Sequence, residues 1–514
     1  MSEIFSYDNV PYPSLTFPKT SPERLATQAA VNGMISADPR QCSFMELGCG
    51  DGTNLLAHAY MYPDSRFLGI DLSQKHIDRA NISVAELGIK NAVFRQMDVM
   101  DMDEGEFDQF DYIVAHGLFS WVPEVVRKRL MEIYSRHLAH DGVGYISYNA
   151  YPGCHVRTMM NEMMQFHTRR VDDPIEKVRT GVSVLNLISE MTDAESTYRL
   201  IIKDELEAML ERSPENIFHD DLSEINQPFY FYEFAEMLAK NGMQYLTEAE
   251  ERVLHFETLS DEATKMLDQV ASDLVEREQY MDFIRYRRFR STLFCRKEIR
   301  LDRGYLDEHI NEFCIAGRLH SEADQSTVAT EEPETFFGPR EQTITCNHPL
   351  TKAVVRYLSS QWTRSVSFTD LLDRSIEMFG LPEGSKSDTD VSQAGNFIVE
   401  LFRVGLFRLH RYPNQGITYV SSKPRVNRFA QWQIQRGSQT VMTFTGVSLE
   451  PDADITKLLL KLADGTRTLD DLADAAMEKL ELQGVNDQTQ KRIAVEEAVK
   501  LNLETLARNG VLEA

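Results

Sequence analysis

Residues 44–52, FMELGCGDG, constrain the fold of this chain more than any other segment, because three alternate glycines directly follow a short apolar run. The apolar run predicts a buried strand, and glycine permits the positive φ angles that strain other residues. A strand, a glycine loop and a helix in this order form the cofactor cradle of many α/β domains. A tight structural turn is the alternative interpretation of the same glycines.

Strands and helices alternate from this loop onward. The alternation predicts a mostly parallel sheet with right-handed crossovers, and therefore a Rossmann-like, doubly wound α/β domain. Ser73 is the candidate N-cap of one helix and Gly88 its stop signal. The predicted strands are 43–47, 66–71, 92–98, 110–117 and 142–151, completed by 243–254 and 289–297, and the predicted helices are 53–63, 73–88 and 124–139.

Changes in composition along the 514 residues predict several regions. Helical insertions on such a sheet cover its ligand-binding edge or form a subunit interface. A polar, acidic stretch predicts a linker, and the helical segments after it predict smaller modules that contact proteins. The predicted regions are a core at 1–300 with regulatory or dimerisation insertions at about 156–220 and 258–284, a linker at 301–342, a winged-helix-like module at 343–425 and an acidic, mostly helical module at 426–514.

The composition excludes several functions. A formal charge of −26, from 80 acidic and 54 basic side chains, argues against nucleic acid or anionic lipid as a general partner. The six cysteines are scattered without CxxC pairs, so neither a disulfide framework nor a metal site is expected. The sequence shows no signal peptide and no transmembrane segment, and we expect a cytoplasmic protein without membrane insertion.

The spacing of the glycines separates two kinds of cofactor. A dinucleotide-binding loop has the pattern G-x-G-x-x-G, but Thr53 occupies the position of its third glycine here. The glycines are Gly48, Gly50 and Gly52, and Glu46 precedes them by two residues. This pattern resembles the first motif of class I S-adenosylmethionine-dependent methyltransferases. An acid near the loop suits a donor that carries an ammonium group instead of phosphates.

Two further acids follow the next two predicted strands. Asp71, followed by Leu72, ends the second strand, where a carboxylate can accept hydrogen bonds from both ribose hydroxyls; an NAD enzyme uses the same device. Asp98 ends the third strand, and in the methyltransferase pattern such an acid accepts from the adenine amino group, beside the backbone N–H of Val99. Capping of the following helix is the alternative role of each aspartate.

Longer segments extend this likeness to a narrower family. YDNVPYPSLTFPKTSPERLA at the N-terminus, FDYIVAHGLFSWVP, SYNAYPGCH, NQPFYFYEFAEMLAKNGMQYLTEAE and REQYMDFIRYRRFRSTLFCR together resemble bacterial methyltransferases with a methyltransferase regulatory domain, including the rickettsial protein lysine methyltransferases. The resemblance implies a Rossmann-like core, S-adenosylmethionine as donor with S-adenosylhomocysteine as product, no metal, a homodimer formed through the inserted helices, and protein lysine as one acceptor.

Candidate acceptor-side residues follow the fourth and fifth strands. His116, Tyr148 and Asn149 are the candidate catalytic residues, because they lie where ligands meet such sheets. His116 is also a candidate donor contact, and a satisfied strand-end histidine is its alternative interpretation. Tyr7 and Tyr12 are predicted to close over the donor as a lid, or else to pack the N-terminal arm on the core.

The cluster RYRRFR, with Arg285, Arg287, Arg288 and Arg290, is the one basic concentration in this acidic chain. Paired surface charges on a strand edge are the favoured interpretation, over a site for an acidic substrate. Three functions remain open from the sequence: methyl transfer to a protein, most readily at lysine; methyl transfer to a small molecule; and regulation by a protein that senses S-adenosylmethionine without transferring its methyl group.

Overall fold

The architecture is described from a computed structural model of the chain. It describes residues 14–513, apart from residues 103, 104, 106, 251–258, 340, 341, 383, 415, 446, 447 and 480–487.

A seven-stranded sheet forms the centre of the first part of the chain. Its order is β3-β2-β1-β4-β5-β7-β6; the first five strands are parallel, and β7 runs antiparallel to both β5 and β6. This confirms the predicted doubly wound α/β fold, with the order reversal between β1 and β4 at the predicted cofactor site. The strands are β1 Ser43–Leu47, β2 Arg66–Asp71, β3 Ala92–Gln96, β4 Phe110–Ala115, β5 Leu138–Asn149, β6 Met243–Glu248 and β7 Phe289–Arg296.

Helices α1 to α4 pack around the parallel strands. The second helix of the alternating pattern begins after Ser73, whose hydroxyl accepts from the backbone N–H of His76, and ends at Gly88 with φ of 67°. Both helix-end predictions are therefore confirmed. The helices are α1 Pro22–Val31, α2 Thr53–Met61, α3 Gln74–Leu87 and α4 Glu124–His137.

Two groups of helices interrupt the sheet after β5 and after β6. The first group has a buried core of its own, which includes Met160, Met164, Leu185 and Met209. The first group comprises α5 Cys154–Thr168, α6 Pro174–Met191, α7 Thr197–Leu210 and α8 Pro214–Asp221, α9 Phe231–Lys240 leads into β6, and the second group comprises α10 Asp261–Val270 and α11 Leu274–Arg285.

Residues 301–342 are not a linker in the structure. Strand β8 Cys314–Gly317 pairs antiparallel with β11 Val366–Ser367 and β12 Phe407–His410, so this segment belongs to the same unit as the predicted winged-helix-like module. Widely spaced apolar residues such as Phe313 and Phe336 are buried among polar neighbours, which hides them from a composition-based prediction. The unit also contains α12 Tyr305–His309, β9 Glu334–Phe337, β10 Thr343–Cys346, α13 Pro349–Gln361, α14 Phe368–Phe379 and α15 Asp388–Arg403.

A C-terminal unit docks against the outer side of the core. The carboxylate of Glu86, at the end of α3, accepts from Trp432 Nε1 at 2.8 Å and from Nε and Nη2 of Arg436 at 3.1 and 2.9 Å. Tyr60 donates to Glu513 Oε1 at 2.5 Å. The unit contains β13 Arg425–Val426, α16 Arg428–Gln435, β14 Val441–Met442, β15 Ser448–Leu449, α17 Asp454–Leu462, α18 Leu469–Lys479, α19 Gln488–Arg508 and β16 Leu512–Glu513.

Candidate active site

The glycine loop between β1 and α2 depends on glycine for its backbone conformation. Gly48, Gly50 and Gly52 have φ angles of 73°, 55° and 77°, all in the left-handed region that strains other residues. A Cβ on Gly52 would lie 2.6 Å from the Phe94 ring, whereas a Cβ on Gly50 would meet no described atom within 4 Å. Gly52 therefore serves close packing, and Gly50 borders open space in which a ligand fits.

Glu46 places a carboxyl group beneath this loop. Its side chain is buried, with 4% of its surface exposed, and Oε1 accepts from Asn54 Nδ2 at 2.8 Å. Oε2 is buried and has no hydrogen-bond partner among the described residues. Burial raises the pKa of Glu46 to about 8, against a smaller opposing effect of the Asn54 hydrogen bond. A cation at this position would supply the missing partner and favour the ionised carboxylate.

Asp71 joins the end of β2 to the glycine loop. Its Oδ2 accepts from the backbone N–H of Gly50 at 2.8 Å, and its Oδ1 accepts from that of Ser73 at 2.9 Å. The following helix is capped by Ser73 rather than by Asp71. Leu72, beside it, exposes 45% of its surface. The structure thus brings Glu46, the three glycines and Asp71 together.

Asp98 lies at the end of β3 and does act as a cap. Its Oδ1 accepts from Met100 N–H at 2.9 Å, at the start of the short 3-10 turn Val99–Asp101. An ionised carboxylate has about four lone-pair sites, so this cap leaves acceptor capacity for an amino group. The backbone of Met97 donates to the carbonyl of Asp71 at 2.9 Å, which ties the two strand ends together.

His116 follows β4 and is surrounded by aromatic rings. Its Nδ1 lies 2.8 Å from the Tyr145 hydroxyl, its ring centroid lies 4.0 Å from that of Phe17, and the Phe289 ring meets it edge-on at 6.2 Å. Burial, with a smaller effect of Lys19, lowers the pKa of His116 to about 3. The imidazole is therefore neutral near pH 7.

Tyr148 and Asn149 lie inside the protein. Tyr148 exposes 1% of its surface, stacks on Phe234 with centroids 4.3 Å apart, and its hydroxyl lies 3.4 Å from Thr292 Oγ1. Asn149 is buried as well, and its Nδ2 donates to Asn226 Oδ1 at 2.8 Å. Both residues pack beneath the edge of the sheet and are not brought next to the glycine loop by any described hydrogen bond.

The predicted lid residues Tyr7 and Tyr12 lie outside the described residues. The segment that follows them, Ser14–Thr20, is here called the strap. Ser14 donates to the Asp51 carboxylate in the glycine loop, and the Phe17 backbone donates to Asn54 Oδ1 at 2.8 Å. Because Asn54 also bonds Glu46, the strap is connected to the buried acid. Phe17 and Asn54 were not singled out from the sequence; the polar Asn54 in an otherwise apolar helix start is the one signal of its role.

Two arginines of the RYRRFR cluster are buried, although the cluster was predicted to lie at the surface. Arg290 lies in an interior strand, exposes none of its surface, and forms ion pairs with Asp282 at 2.8 Å, Glu248 at 2.7 Å and Glu278 at 3.0 Å. Arg287 is buried beside it and pairs with Asp282 at 3.1 Å. The prediction of surface charges on a strand edge is wrong for Arg287 and Arg290, because β6 pairs with β7 and the acids that bury these arginines lie on separate segments. Arg288, with 43% of its side chain exposed, pairs with Glu205.

The site as a whole fits S-adenosylmethionine. The orphaned Glu46 oxygen suits its ammonium group, the open side of Gly50 leaves room for it, and Asp71 and Asp98 stand at the adjoining strand ends. Among the described residues, no cluster of three or more His, Cys, Asp or Glu side chains could hold a metal ion. No helix in the described part of the chain is long and apolar enough to span a membrane.

Comparison with known proteins places this geometry in a family. A methyltransferase domain model matches residues 45–143, a predicted methyltransferase regulatory domain matches 213–296, and the C-terminal winged helix domain of PKMT matches 422–511. The protein RP028 of Rickettsia prowazekii (strain Madrid E), uncharacterised, is 33% identical over 242 residues, which cover 47% of this chain and 96% of that protein. The chain belongs to the S-adenosylmethionine-dependent methyltransferases with a regulatory domain.

Other members of this family cover more of the chain. The structure of PKMT2 from Rickettsia typhi in complex with AdoHcy has a TM-score of 0.88 at 25% identity and covers 98% of this chain and 100% of that one. The uncharacterised protein RP789 of Rickettsia prowazekii is 33% identical over 368 residues, which cover 70% of this chain and 66% of that protein. The winged helix match falls in the C-terminal unit, which the sequence predicted as an acidic, mostly helical module. The cofactor of this methyltransferase is S-adenosylmethionine.

Proposed function

We propose that this methyltransferase transfers the methyl group of S-adenosylmethionine to a lysine side chain of a protein. The similarity over nearly the whole chain to PKMT2 of Rickettsia typhi carries this proposal, because it includes the helical insertions and C-terminal units as well as the donor-binding core. Methyl transfer to a small molecule is the alternative that the experiment below distinguishes.

The donor side of the proposed mechanism uses the residues at the ends of β1 to β3. Glu46 would pair with the donor's ammonium group, the backbone at Gly48, Gly50 and Gly52 would lie against it, and Asp71 with Leu72 would hold the ribose. Asp98 and the backbone of Val99 would hold the adenine. When bound, S-adenosylmethionine would supply a methyl carbon to an uncharged amine, with the N–C bond formed in line as the C–S bond breaks and S-adenosylhomocysteine leaves.

The acceptor side must exclude water and receive a neutral amine. The rings of Phe17, His116 and Phe289 form an aromatic wall that suits an aliphatic lysine chain and lowers the pKa of an entering ammonium. With a pKa of about 3, the His116 imidazole is neutral near pH 7 and is too weak a base to take a proton from the ammonium. We therefore propose that the lysine loses its proton to water before transfer. Tyr148 and Asn149 would act by shaping the sheet edge beneath the bound lysine.

We also propose that the protein is a homodimer formed through its first group of inserted helices. Monomeric proteins rarely expose many large apolar side chains on one group of helices. The exposed side chains here include Phe166 at 69%, Met191 at 78%, Leu187 at 52%, Leu200 at 60% and Leu210 at 54%.

All six cysteines are free and buried, which supports a reducing compartment such as the cytoplasm.

A labelling experiment tests the acceptor. The protein is incubated with methyl-labelled S-adenosylmethionine and a cell extract, and label is measured in protein and small-molecule fractions, followed by amino-acid analysis for methyl-lysine. We expect methyl-lysine in protein, and loss of label with Asp71→Asn but not with Asp78→Asn on the outer face of α3. Label confined to small molecules would replace the proposed acceptor.

A further inference from the structure

A lysine of the strap lies in a clamp made of a carboxylate and an aromatic ring. Lys19 Nζ lies 2.5 Å from Glu250 Oε1 and 4.9 Å from the centroid of the Phe289 ring. Lys19 exposes 22% of its side chain and Glu250 exposes 37%. We call Glu250 and Phe289 the ammonium clamp. It holds a primary ammonium group at a partly exposed position.

The ammonium clamp stands at the acceptor side of the sheet edge. Phe289 begins β7 directly opposite Asn149, the last residue of β5. Its ring is also the edge-on neighbour of His116, which follows β4. The occupant Lys19 is two residues from Phe17, whose ring covers the other side of His116. A group released from the clamp is therefore already beside the aromatic wall.

The chemistry of the clamp selects alkylammonium groups. A carboxylate gives a charge-assisted hydrogen bond, and the face of an aromatic ring attracts a cation. Partly exposed pairs of this kind contribute only about 1 kcal/mol each, so their occupant is readily exchanged. Lys19 has the same functional group as the acceptor proposed above. The clamp therefore already holds a primary ammonium group of the kind that the acceptor carries.

We propose that the ammonium clamp is the docking site for the acceptor lysine, and that Lys19 is an internal occupant which the acceptor displaces. This inference rests on lysine as the proposed acceptor. Docking at Glu250 and Phe289 holds the ammonium form at the rim, and the neutral amine then advances along the aromatic wall. Lys19 thereby competes with the acceptor and sets how strongly a lysine must bind to enter.

A binding experiment tests the clamp without requiring turnover. Nα-acetyl-lysine methylamide is titrated into the full-length protein saturated with S-adenosylhomocysteine, and its dissociation constant is measured by ligand-observed NMR. Lys19→Met keeps the length of the side chain but removes its charge, so it should tighten binding about fivefold, the equivalent of one such weak pair. Adding Glu250→Gln to Lys19→Met should weaken binding about fivefold relative to Lys19→Met, because Lys19 no longer competes there and only the acceptor's own pair is lost. The control Lys128→Met removes a lysine from an exposed surface pair with Glu124 and should leave the constant unchanged.

The outcomes separate this inference from the proposed function. Tighter binding to Lys19→Met, and loss of that gain when Glu250→Gln is added to it, supports the clamp. No change in either variant, or weaker binding to Lys19→Met, overturns it, provided that both variants bind S-adenosylhomocysteine like the wild type. The labelling experiment reports independently on the acceptor, because methyl-lysine can form while the clamp variants behave like the wild type, and that result would reject the clamp alone.

Discussion

The proposed donor side and the proposed acceptor side of the sheet edge are assembled in different ways. On the donor side, at β1 to β3, Glu46, Gly50 and Asp71 lie within a short part of the chain, and the Asp71 carboxylate accepts from the backbone N–H groups of Gly50 and Ser73. On the acceptor side, Lys19 meets Glu250 from a position 231 residues away. Arg290 likewise gathers acids from β6 and α11.

This difference separates two kinds of constraint. Donor-side positions are fixed by backbone angles and local hydrogen bonds, so a substitution there should alter the loop and the affinity for the donor. The acceptor side stands on a buried charge network, so a substitution in that network should alter stability first. Five predictions test this division, in order of decreasing expected effect.

Arg290→Met should cause the largest loss of stability, about 3–5 kcal/mol, because it leaves the buried Glu248 without its cation and Asp282 with Arg287 alone. The control Arg374→Met, on α14, removes an exposed pair with Glu377 and should cost less than about 1 kcal/mol. Calorimetric unfolding of both variants checks the contrast. Equal, small losses of stability in the two variants would show that the Arg290 network does not stabilise the proposed acceptor side.

Gly52→Ala should cost about 2–5 kcal/mol, since it combines a positive φ angle with a Cβ placed 2.6 Å from the Phe94 ring. Gly50→Ala also has a positive φ but meets open space, so it should cost only about 1–2 kcal/mol while weakening donor binding. Thermal unfolding and S-adenosylhomocysteine titration distinguish the two. If Gly50→Ala bound the product like the wild type, the open side of Gly50 would not face the donor.

Glu46 should make the stability depend on pH. Its pKa is raised by burial to about 8, so its contribution to stability is fully present below about pH 4.5 and is lost as the pH rises through about 8. Between pH 6 and pH 9 the wild type should lose on the order of 2 kcal/mol relative to Glu46→Gln, which cannot ionise. Unfolding measured across this range checks the slope. Parallel curves for the two proteins would mean that Glu46 is already ionised at pH 6.

Asp71→Asn and Asp98→Asn should each weaken S-adenosylhomocysteine binding about tenfold, from the loss of charge-assisted hydrogen bonds. Isothermal titration at constant salt measures the change, and Asp78→Asn is the surface control. Unchanged affinity in Asp98→Asn alone would assign that residue only its observed capping role at Met100.

Tyr148→Phe should have the smallest effect, because the hydroxyl makes one long contact of 3.4 Å with Thr292. We expect methyl transfer within about twofold of the wild type and a stability change below about 1 kcal/mol. A tenfold fall in kcat at unchanged stability would support the sequence-based prediction that Tyr148 is a catalytic residue.

Much of the fold could be predicted from the sequence, and the errors have a common cause. The core strands, the caps at Ser73 and Gly88 and the glycine loop follow from apolar runs and turn residues that act on their near neighbours. The segment 301–342 and the exposure of Arg287 and Arg290 were predicted wrongly because both depend on remote partners. Strand β8 pairs with β11 and β12, which follow much later in the sequence, and Arg290 is buried among acids from other elements.

The sequence by itself determined the class of fold and the kind of cofactor. Alternate glycines that need positive φ, and acids placed two residues before them and at two later strand ends, are local requirements that remain visible in one dimension. Only the tertiary structure decided which side chains are desolvated. Burial raises the pKa of Glu46, keeps the His116 imidazole neutral and leaves Arg290 without exposed surface. It also brought Lys19 to Glu250 and Phe289. Burial and contacts between distant segments set these properties, because the charge state of a side chain depends on everything that surrounds it in space.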